Sequence, residues 1–278
     1  MNRTDKPTDQ VFPFGKNWRR FLAGINEKKT AEAVESLRLL LGREDLRGMT
    51  FLDAGSGSGL SSLAAVRLGA ERVLSFDADP ECLFCARALK EKYFPQADHW
   101  VVRQGDVLDR SFLREIGEWD VVYSWGVLHH TGNLWLGLEN LTESVKKGGC
   151  LAVAVYNDQG WKSRYWLWVK KGYNRHFLLR AGLILVHAPF LLGGPLLKRM
   201  IRREPVWERE RGMSLWWDYL DWLGGYPFET AEPEEIVRFF QERGFRLKTL
   251  KTVGKKLGCN EFLLVKETAA LPRDLEKA

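Results

Sequence analysis

The residues with the clearest chemical purpose in this chain are aspartates and glycines placed at the ends of apolar runs. Phe51 to Gly59 reads Phe-Leu-Asp-Ala-Gly-Ser-Gly-Ser-Gly, so an apolar run ends at Asp53 and Ala54. Gly55, Ser56, Gly57 and Gly59 then lead into a helical window. Glycines at alternate positions let the backbone turn tightly and let a ligand approach where a Cβ would block it. Amides at the start of the following helix can face a polar ligand. The spacing departs from the dinucleotide fingerprint, because position 60 is Leu and the third glycine comes one residue early. Asp77, followed by Ala78, ends the second apolar run, where a carboxylate can accept from both hydroxyls of a ribose. Asp79-Pro80 caps and starts the next helix. Asp106, in Gly105-Asp106-Val107, follows the third run and can accept from an exocyclic adenine amine. Ser124-Trp125-Gly126 ends the fourth, and His129 and His130 come just beyond it. Histidine titrates near neutrality, as a general base must, and His129 is the favoured candidate. Tyr156 and Asn157 end the fifth run and point to the same region.

A sheet must hold these residues together. Apolar runs at Thr50–Ala54, Arg72–Asp77, His99–Gln104, Asp120–Ser124 and Cys150–Tyr156 alternate with helical windows at Leu60–Leu68, Pro80–Lys92, Ser111–Gly117 and Leu134–Val145. This βαβ repetition predicts an α/β fold with a parallel sheet covered on both faces. Ligands of such sheets bind at the carboxyl ends of the strands. A helix over Pro233–Arg243, with glutamates at the positive end of its dipole, precedes a hairpin of Phe245–Thr252 and Glu261–Lys266. The pattern from Phe12 to Leu41 reads as helical, punctuated by Gly42 and Gly48. The expected organisation is an N-terminal tail and helical extension at 1–47, a core at 48–156, an insertion at 157–231, the last helix and hairpin at 232–268, and a tail at 269–278.

The ordered set Asp-Ala-Gly-Ser-Gly-Ser-Gly, Phe-Asp-Ala-Asp-Pro, Gly-Asp-Val and Trp-Asp-Val-Val-Tyr-Ser-Trp-Gly-Val-Leu-His-His resembles the class I S-adenosylmethionine-dependent methyltransferases. The nearest look is to the branch containing the ubiquinone-biosynthesis O-methyltransferases. The resemblance covers about residues 48–156 and 232–266. It implies a Rossmann-like seven-stranded sheet, parallel with an antiparallel C-terminal hairpin strand. By the same resemblance Asp53 to Gly59 hold the methionine part of the cofactor, Asp77 the ribose, and Asp106 the adenine amine. Ser124 and Trp125 flank the sulfonium. In that family a histidine at the place of His130 accompanies different acceptors, which suggests a structural hydrogen bond there. Transfer requires in-line alignment of the acceptor and exclusion of water, and an oxygen acceptor also needs a base. Trp125 and Tyr156 are placed to receive a cation on their ring faces. The Asp that metal-dependent relatives carry after the fourth strand is replaced by Ser124-Trp125, so no metal is expected.

The insertion sets the acceptor. From Gln159 to Arg211 twelve Lys or Arg stand against three Glu, a net of +9, which leaves −3 for the rest of a chain of net charge +6. Seven of the twelve tryptophans fall between 161 and 222. Three readings are open. They are a helical lid with solvated cations, a platform for a lipophilic or membrane-associated acceptor through 160–211, and a nucleic-acid surface, which no recognised motif supports. Asp218, Asp221 and Tyr226 are candidate acceptor contacts, and Asn17 and Trp18 close the pocket from the N-terminal side. The apolar stretch Leu183–Leu197 is broken by His187, Pro189, Gly193, Gly194 and Pro195 and falls short of the roughly 20 residues a spanning helix needs. A transmembrane span is therefore not expected. The N-terminus lacks the apolar core of a secretory signal. Cys82 and Cys85 read as buried thiols on one helix face, and the cysteine pattern fits a reducing cytoplasm. The expected function is methylation of a small-molecule oxygen. RNA or protein methylation is the enzymatic alternative, and a non-catalytic cofactor-binding or membrane-docking module is the alternative of another class.

Overall fold

A computed structural model of the chain describes residues 12, 14–202 and 215–268. The expected terminal tails at 1–10 and 269–278, and the part of the insertion at 203–214, lie outside the described residues. The strands are β1 (Thr50–Ala54), β2 (Arg72–Asp77), β3 (Trp100–Gln104), β4 (Trp119–Trp125), β5 (Val145–Tyr156), β6 (Phe245–Lys251) and β7 (Cys259–Lys266). They form one sheet in the order β3-β2-β1-β4-β5-β7-β6. The first five pair in parallel, and β7 enters antiparallel between β5 and β6. The expected seven-stranded sheet with an antiparallel hairpin strand is the observed one. Its order reverses between β1 and β4, and the ends of these two strands open the crevice where such sheets take ligands.

The helices are α1 (Phe14–Ala23), α2 (Glu27–Leu41), α3 (Leu60–Arg67), α4 (Pro80–Tyr93), α5 (Arg110–Ile116), α6 (Leu134–Glu143), α7 (Trp161–Arg175), α8 (Phe177–Arg202), α9 (Leu215–Gly224) and α10 (Pro233–Gln241). One apolar layer joins the sheet to the side of α5, α6 and α10, through Leu52, Val122 and Phe240. A second lies on the other face under α2 and α3, around Phe51, Leu63 and Trp100. A third, separate cluster joins α7, α8 and α9, with Val169, Leu192 and Leu223 at its centre.

Two local readings are corrected. The helical pattern from Phe12 to Leu41 is two helices, broken where Asn26 caps α2 by accepting from the Lys29 amide. Gly24 and Asn26 favour that break, whereas apolar spacing alone carries across it. The stretch read as broken at Pro189 and Pro195 is one helix of 26 residues, α8, with both prolines inside. Packing of its inner face on α7 and α9 outweighs the lost hydrogen bonds, and Phe177–Ile201 is long and apolar enough to cross a membrane by length and composition.

At the amino end of the sheet Asp120 ties three strands together. Its Oδ2 accepts from the Thr50 amide at 2.9 Å, the Thr50 hydroxyl at 2.7 Å and the Lys146 ammonium at 2.8 Å. Burial raises its pKa, but the hydrogen bonds from Lys146 and Thr50 outweigh this and leave it below the ordinary value. A depressed carboxylate contributes stability above its unfolded pKa and loses it as pH falls through the folded value. Asp120→Asn is expected to cost about 1–2 kcal/mol at neutral pH. The difference from the parent should shrink below about pH 4, as read by urea denaturation at several pH values.

Candidate functional site

The carboxyl edge of the sheet is organised from beneath by a chain of buried hydrogen bonds. The Trp100 indole donates to the Ser75 hydroxyl at 2.8 Å, Ser75 to Ser62 at 2.6 Å, and Ser62 to the Asp53 carboxylate at 2.6 Å. Burial pushes the Asp53 carboxyl up to about 7, against the Ser62 hydrogen bond and with the charge of Asp77 adding to the rise. Above Asp53 the glycine loop is bound internally. The amides of Gly55 and Ser56 both donate to the Phe76 carbonyl, Gly57 donates to Asp77 Oδ2, and Gly59 donates to the Ser56 carbonyl. The donors of these four amides, which precede the start of α3, are spent on the loop's own shape. The glycines serve that shape. Gly57 and Gly59 have left-handed φ values of 52° and 79°. A Cβ on Gly59 would stand 2.7 Å from Ala86 Cα, and one on Gly57 would stand 3.1 Å from the Trp18 indole. The Ser56 hydroxyl is buried without a hydrogen-bond partner.

Asp77 stands beside this loop, its Oδ1 accepting from the Asp79 amide and its Oδ2 from Gly57, both at 2.9 Å. Burial raises its pKa, opposed by those two hydrogen bonds. Ala78 is exposed next to it. Asp79 caps α4 by accepting from Glu81 and also accepts the Gly15 amide of α1 at 3.1 Å. Asp106 lies one strand away and accepts from the Leu108 amide at 2.9 Å, while Val107 is buried in the core. The buried hydroxyl of Ser124 donates to the Ala54 carbonyl at 2.9 Å and joins β4 to β1, which leaves only its backbone groups at the edge. Trp125 points to the opposite face of the sheet. Its ring stacks on Tyr123, with centroids 5.7 Å apart, and lines a cavity of about 320 Å³ with Leu40, Leu60 and Leu263.

The second half of the site is an aromatic enclosure over the ends of β4 and β5. The Tyr156 ring lies 3.9 Å from His129, 5.1 Å from Phe228, 5.5 Å from His130 and 5.6 Å from Trp222. Burial lowers the pKa of both histidines, to about 3 for His130, with Lys170 adding in the same direction, so both rings are neutral. Their hydrogen bonds assign different tautomers. His129 Nδ1 accepts the Tyr156 amide at 3.3 Å, which puts its proton on Nε2. His130 Nδ1 faces the Pro227 carbonyl at 2.7 Å and donates to it, which leaves a lone pair on Nε2. Of the two rings, only that of His130 keeps an unengaged lone pair in this geometry. Asn157, a catalytic candidate from the sequence, has its side chain engaged on both sides, its amide donating to the Gly254 carbonyl and its carbonyl accepting from Asn260. Burial also pushes the Tyr156 hydroxyl pKa up.

Sequence reasoning missed Lys170, which it counted among the surface cations of the insertion. Lys170 is fully buried, its ammonium 4.6 Å from the Trp222 ring centre and 4.9 Å from that of Phe228, and it donates to the Trp222 carbonyl. Burial depresses its pKa to about 7, with Asp221 opposing the shift. The signal was its place one turn along from Trp166 and one turn before Tyr173, on the buried face of α7. Two further elements close the enclosure. Asn17 of α1 donates to Asp221 of α9, and Phe14 packs 4.7 Å from His130. The Trp18 indole lies over Gly57 on the other side. Asp218 is half-buried on α9, and Tyr226 holds the chain near Phe12 by accepting its amide.

Comparison with known proteins gives this edge a context. Residues 52–151 match the family described as methyltransferase domain. The ribosomal protein L11 methyltransferase of Klebsiella pneumoniae is 30% identical over 119 residues, 40% of each chain. That of Tolumonas auensis is 49% identical over 43 residues, 16% of this chain and 15% of its own. The chain thus spans well under half the length of these curated relatives. The magnesium protoporphyrin IX methyltransferase of Synechocystis PCC 6803, solved with bound S-adenosylhomocysteine, superposes with a TM-score of 0.54 at 15% identity, covering 91% of this chain and 94% of that one. These likenesses reach the fold and, over residues 52–151, the methyltransferase domain.

The raised Asp53 pKa has a testable sign. Such a group contributes stability that is present below its unfolded pKa and is lost as pH rises through the folded one, here from about 4 to about 7. Asp53→Asn cannot ionise, so its stability relative to the parent is expected to climb between about pH 4 and about pH 7 in urea melts.

Proposed function

We propose, from the match of residues 52–151 to a methyltransferase domain, that the chain binds S-adenosylmethionine over the ends of β1, β2 and β3. It then moves the methyl group to an oxygen of a small-molecule acceptor held beneath α1 and α9. The observation that carries the acceptor half is the neutral His130. Its Nδ1–H is committed to Pro227 and its Nε2 lone pair is left to accept a proton inside an aromatic enclosure.

The residues at the strand ends fit this cofactor. Asp77 and Asp106 offer carboxylates on neighbouring strands for ribose hydroxyls and the adenine amine, and the orphaned Ser56 hydroxyl lies in the loop that would hold the methionine part. When bound, the cofactor supplies an electrophilic methyl group on a positive sulfur. The chain's own residues do the rest. Tyr156, Trp222 and Phe228 exclude water and present ring faces. The Trp222 indole N–H, buried without an acceptor, offers a donor to the incoming molecule. His130 Nε2 receives the acceptor hydroxyl's proton. Lys170, charged below about pH 7, opposes proton uptake by His130 and relaxes that opposition once neutral.

The names of the curated relatives favour a second reading, a protein acceptor. The family match ends at residue 151, before Tyr156, Lys170 and α9, so it informs the cofactor half more than the acceptor half.

Asp77→Ala is expected to weaken S-adenosylmethionine binding by about 2 kcal/mol, roughly thirtyfold, in calorimetric titration. Absence of binding by the well-folded parent would remove the reading. Screening should begin with phenolic and lipid-linked hydroxyl compounds, with ribosomal protein and RNA in parallel. Turnover confined to a macromolecule would defeat the small-molecule assignment. With an acceptor in hand, His130→Ala is expected to lower kcat about a hundredfold with KM little changed. The parent's kcat should rise as pH passes upward through about 7, and Lys170→Met should flatten that rise.

A further inference from the structure

We propose that α7 and α8 form a docking face for an anionic lipid bilayer, lying along its surface without spanning it. The inference is independent of the catalytic reading.

The first observation is the inverted amphipathy of α8. Over Phe177–Ile201 the most apolar window has a mean hydropathy of 1.7, yet only 11% of it is buried inside the protein. The inner face, with Leu183, Ile184, His187, Ala188 and Leu192, packs on α7 and α9. The outer face presents Leu178, Leu185, Val186, Phe190, Leu197 and Ile201, all exposed, with Phe190 at 81%. The solvent side of a surface helix is ordinarily polar. Between Ala181 and Leu197 this one carries no Asp, Glu, Lys or Arg. At about 1.5 Å per residue the helix offers an apolar ridge of nearly 40 Å.

The second observation is what borders the ridge. On α7, Trp161, Tyr165 and Trp168 are exposed, and such rings favour the depth of lipid headgroups. From Gly160 to Arg202 there are four Lys and five Arg and no acidic residue. Lys162, Arg164, Lys171 and Lys198 are exposed. Apolar side chains that enter the acyl boundary, flanked by cations that meet anionic headgroups, are the requirements of an interfacial helix. The same charge argues against a second copy of this chain as occupant. Two such faces would oppose like charges with no carboxylate from α7 or α8 to pair them.

The third observation fixes the orientation. The Tyr165 hydroxyl and His187 Nε2 are 2.8 Å apart, the Tyr219 hydroxyl donates to the Ile184 carbonyl, and Leu192 is buried. Crossing a bilayer would require α8 to leave these contacts, whereas lying on it keeps them.

The test is flotation of the purified chain with phosphatidylcholine vesicles, with and without phosphatidylglycerol. Vesicles carrying brominated acyl chains would be used in parallel to quench tryptophan fluorescence. The chain is expected to float with the anionic vesicles and to be quenched by them, and raised salt should weaken both. Leu185→Glu with Phe190→Glu alters two exposed side chains and should lower partitioning by at least about tenfold. Its thermal melt, followed by circular dichroism, should match the parent's. Lys162→Glu, Lys171→Glu and Lys198→Glu together should lower it similarly, and Lys170, being buried, is left intact. Failure of the parent to float would overturn the proposal, as would flotation indifferent to either set of substitutions. A lipid-independent dimer that Leu185→Glu with Phe190→Glu dissociates would assign the face to a second copy instead. None of these readouts depends on methyl transfer.

Discussion

The Asp53 carboxyl lies inside the protein at the end of β1, with the hydroxyls of Ser62 and Ser75 and the indole of Trp100 in line behind it. A buried carboxyl left without hydrogen bonds costs more than a typical contact contributes, so the groups that satisfy it are held to narrow positions. Those groups sit on α3, β2 and β3, and the glycine loop rises directly from Asp53. Gly55 and Ser56 then close on the Phe76 carbonyl, and Gly57 on Asp77. The edge is therefore shaped before anything binds to it, which reduces the ordering that binding must supply.

Much of this was legible from residue order. Strands of a covered parallel sheet read as apolar runs because both faces are buried. Asp53, Asp77 and Asp106 stood out because they occupy those ends. What was not legible depends on partners remote in sequence. Ser62, Ser75 and Trp100 each look ordinary alone and gain meaning only as a chain. The roles of His129 and His130 turn on which ring nitrogen is engaged, and the partner of His130 is 97 positions away. The hydroxyl of Ser124 and the amide of Asn157 sit where a ligand contact is expected, yet each is spent on a neighbouring strand or loop. Lys170 was hidden by counting charges over a segment without asking which side of α7 each one occupies. The prolines of α8 misled because proline weighs against a helix locally, and packing along a whole face overrides it.

Within the insertion, α7 is joined to α9 and the segment after it through groups that ordinary surfaces avoid. An ammonium held between two rings and one carbonyl keeps part of its electrostatic stabilisation, but burial removes enough hydration to bring its pKa near neutrality. The same rings wall the space above Tyr156. A change in the charge of Lys170 is therefore felt both in how α7 seats on α9 and in the polarity of the enclosure.

The N-terminal helix α1 touches both halves of this edge. Gly15 and Trp18 meet Asp79 and Gly57, and Arg19 pairs with Glu81 at 2.6 Å. Phe14 and Asn17, on the same ten-residue helix, meet His130 and Asp221. A rigid element that bridges two subsites makes their occupancies interdependent. Whatever free energy one guest gains by settling α1 is returned in equal measure to the affinity of the other, since binding linkage is reciprocal. Filling one half would in that way prepare the other, and the two molecules would bind cooperatively even if neither touched its companion.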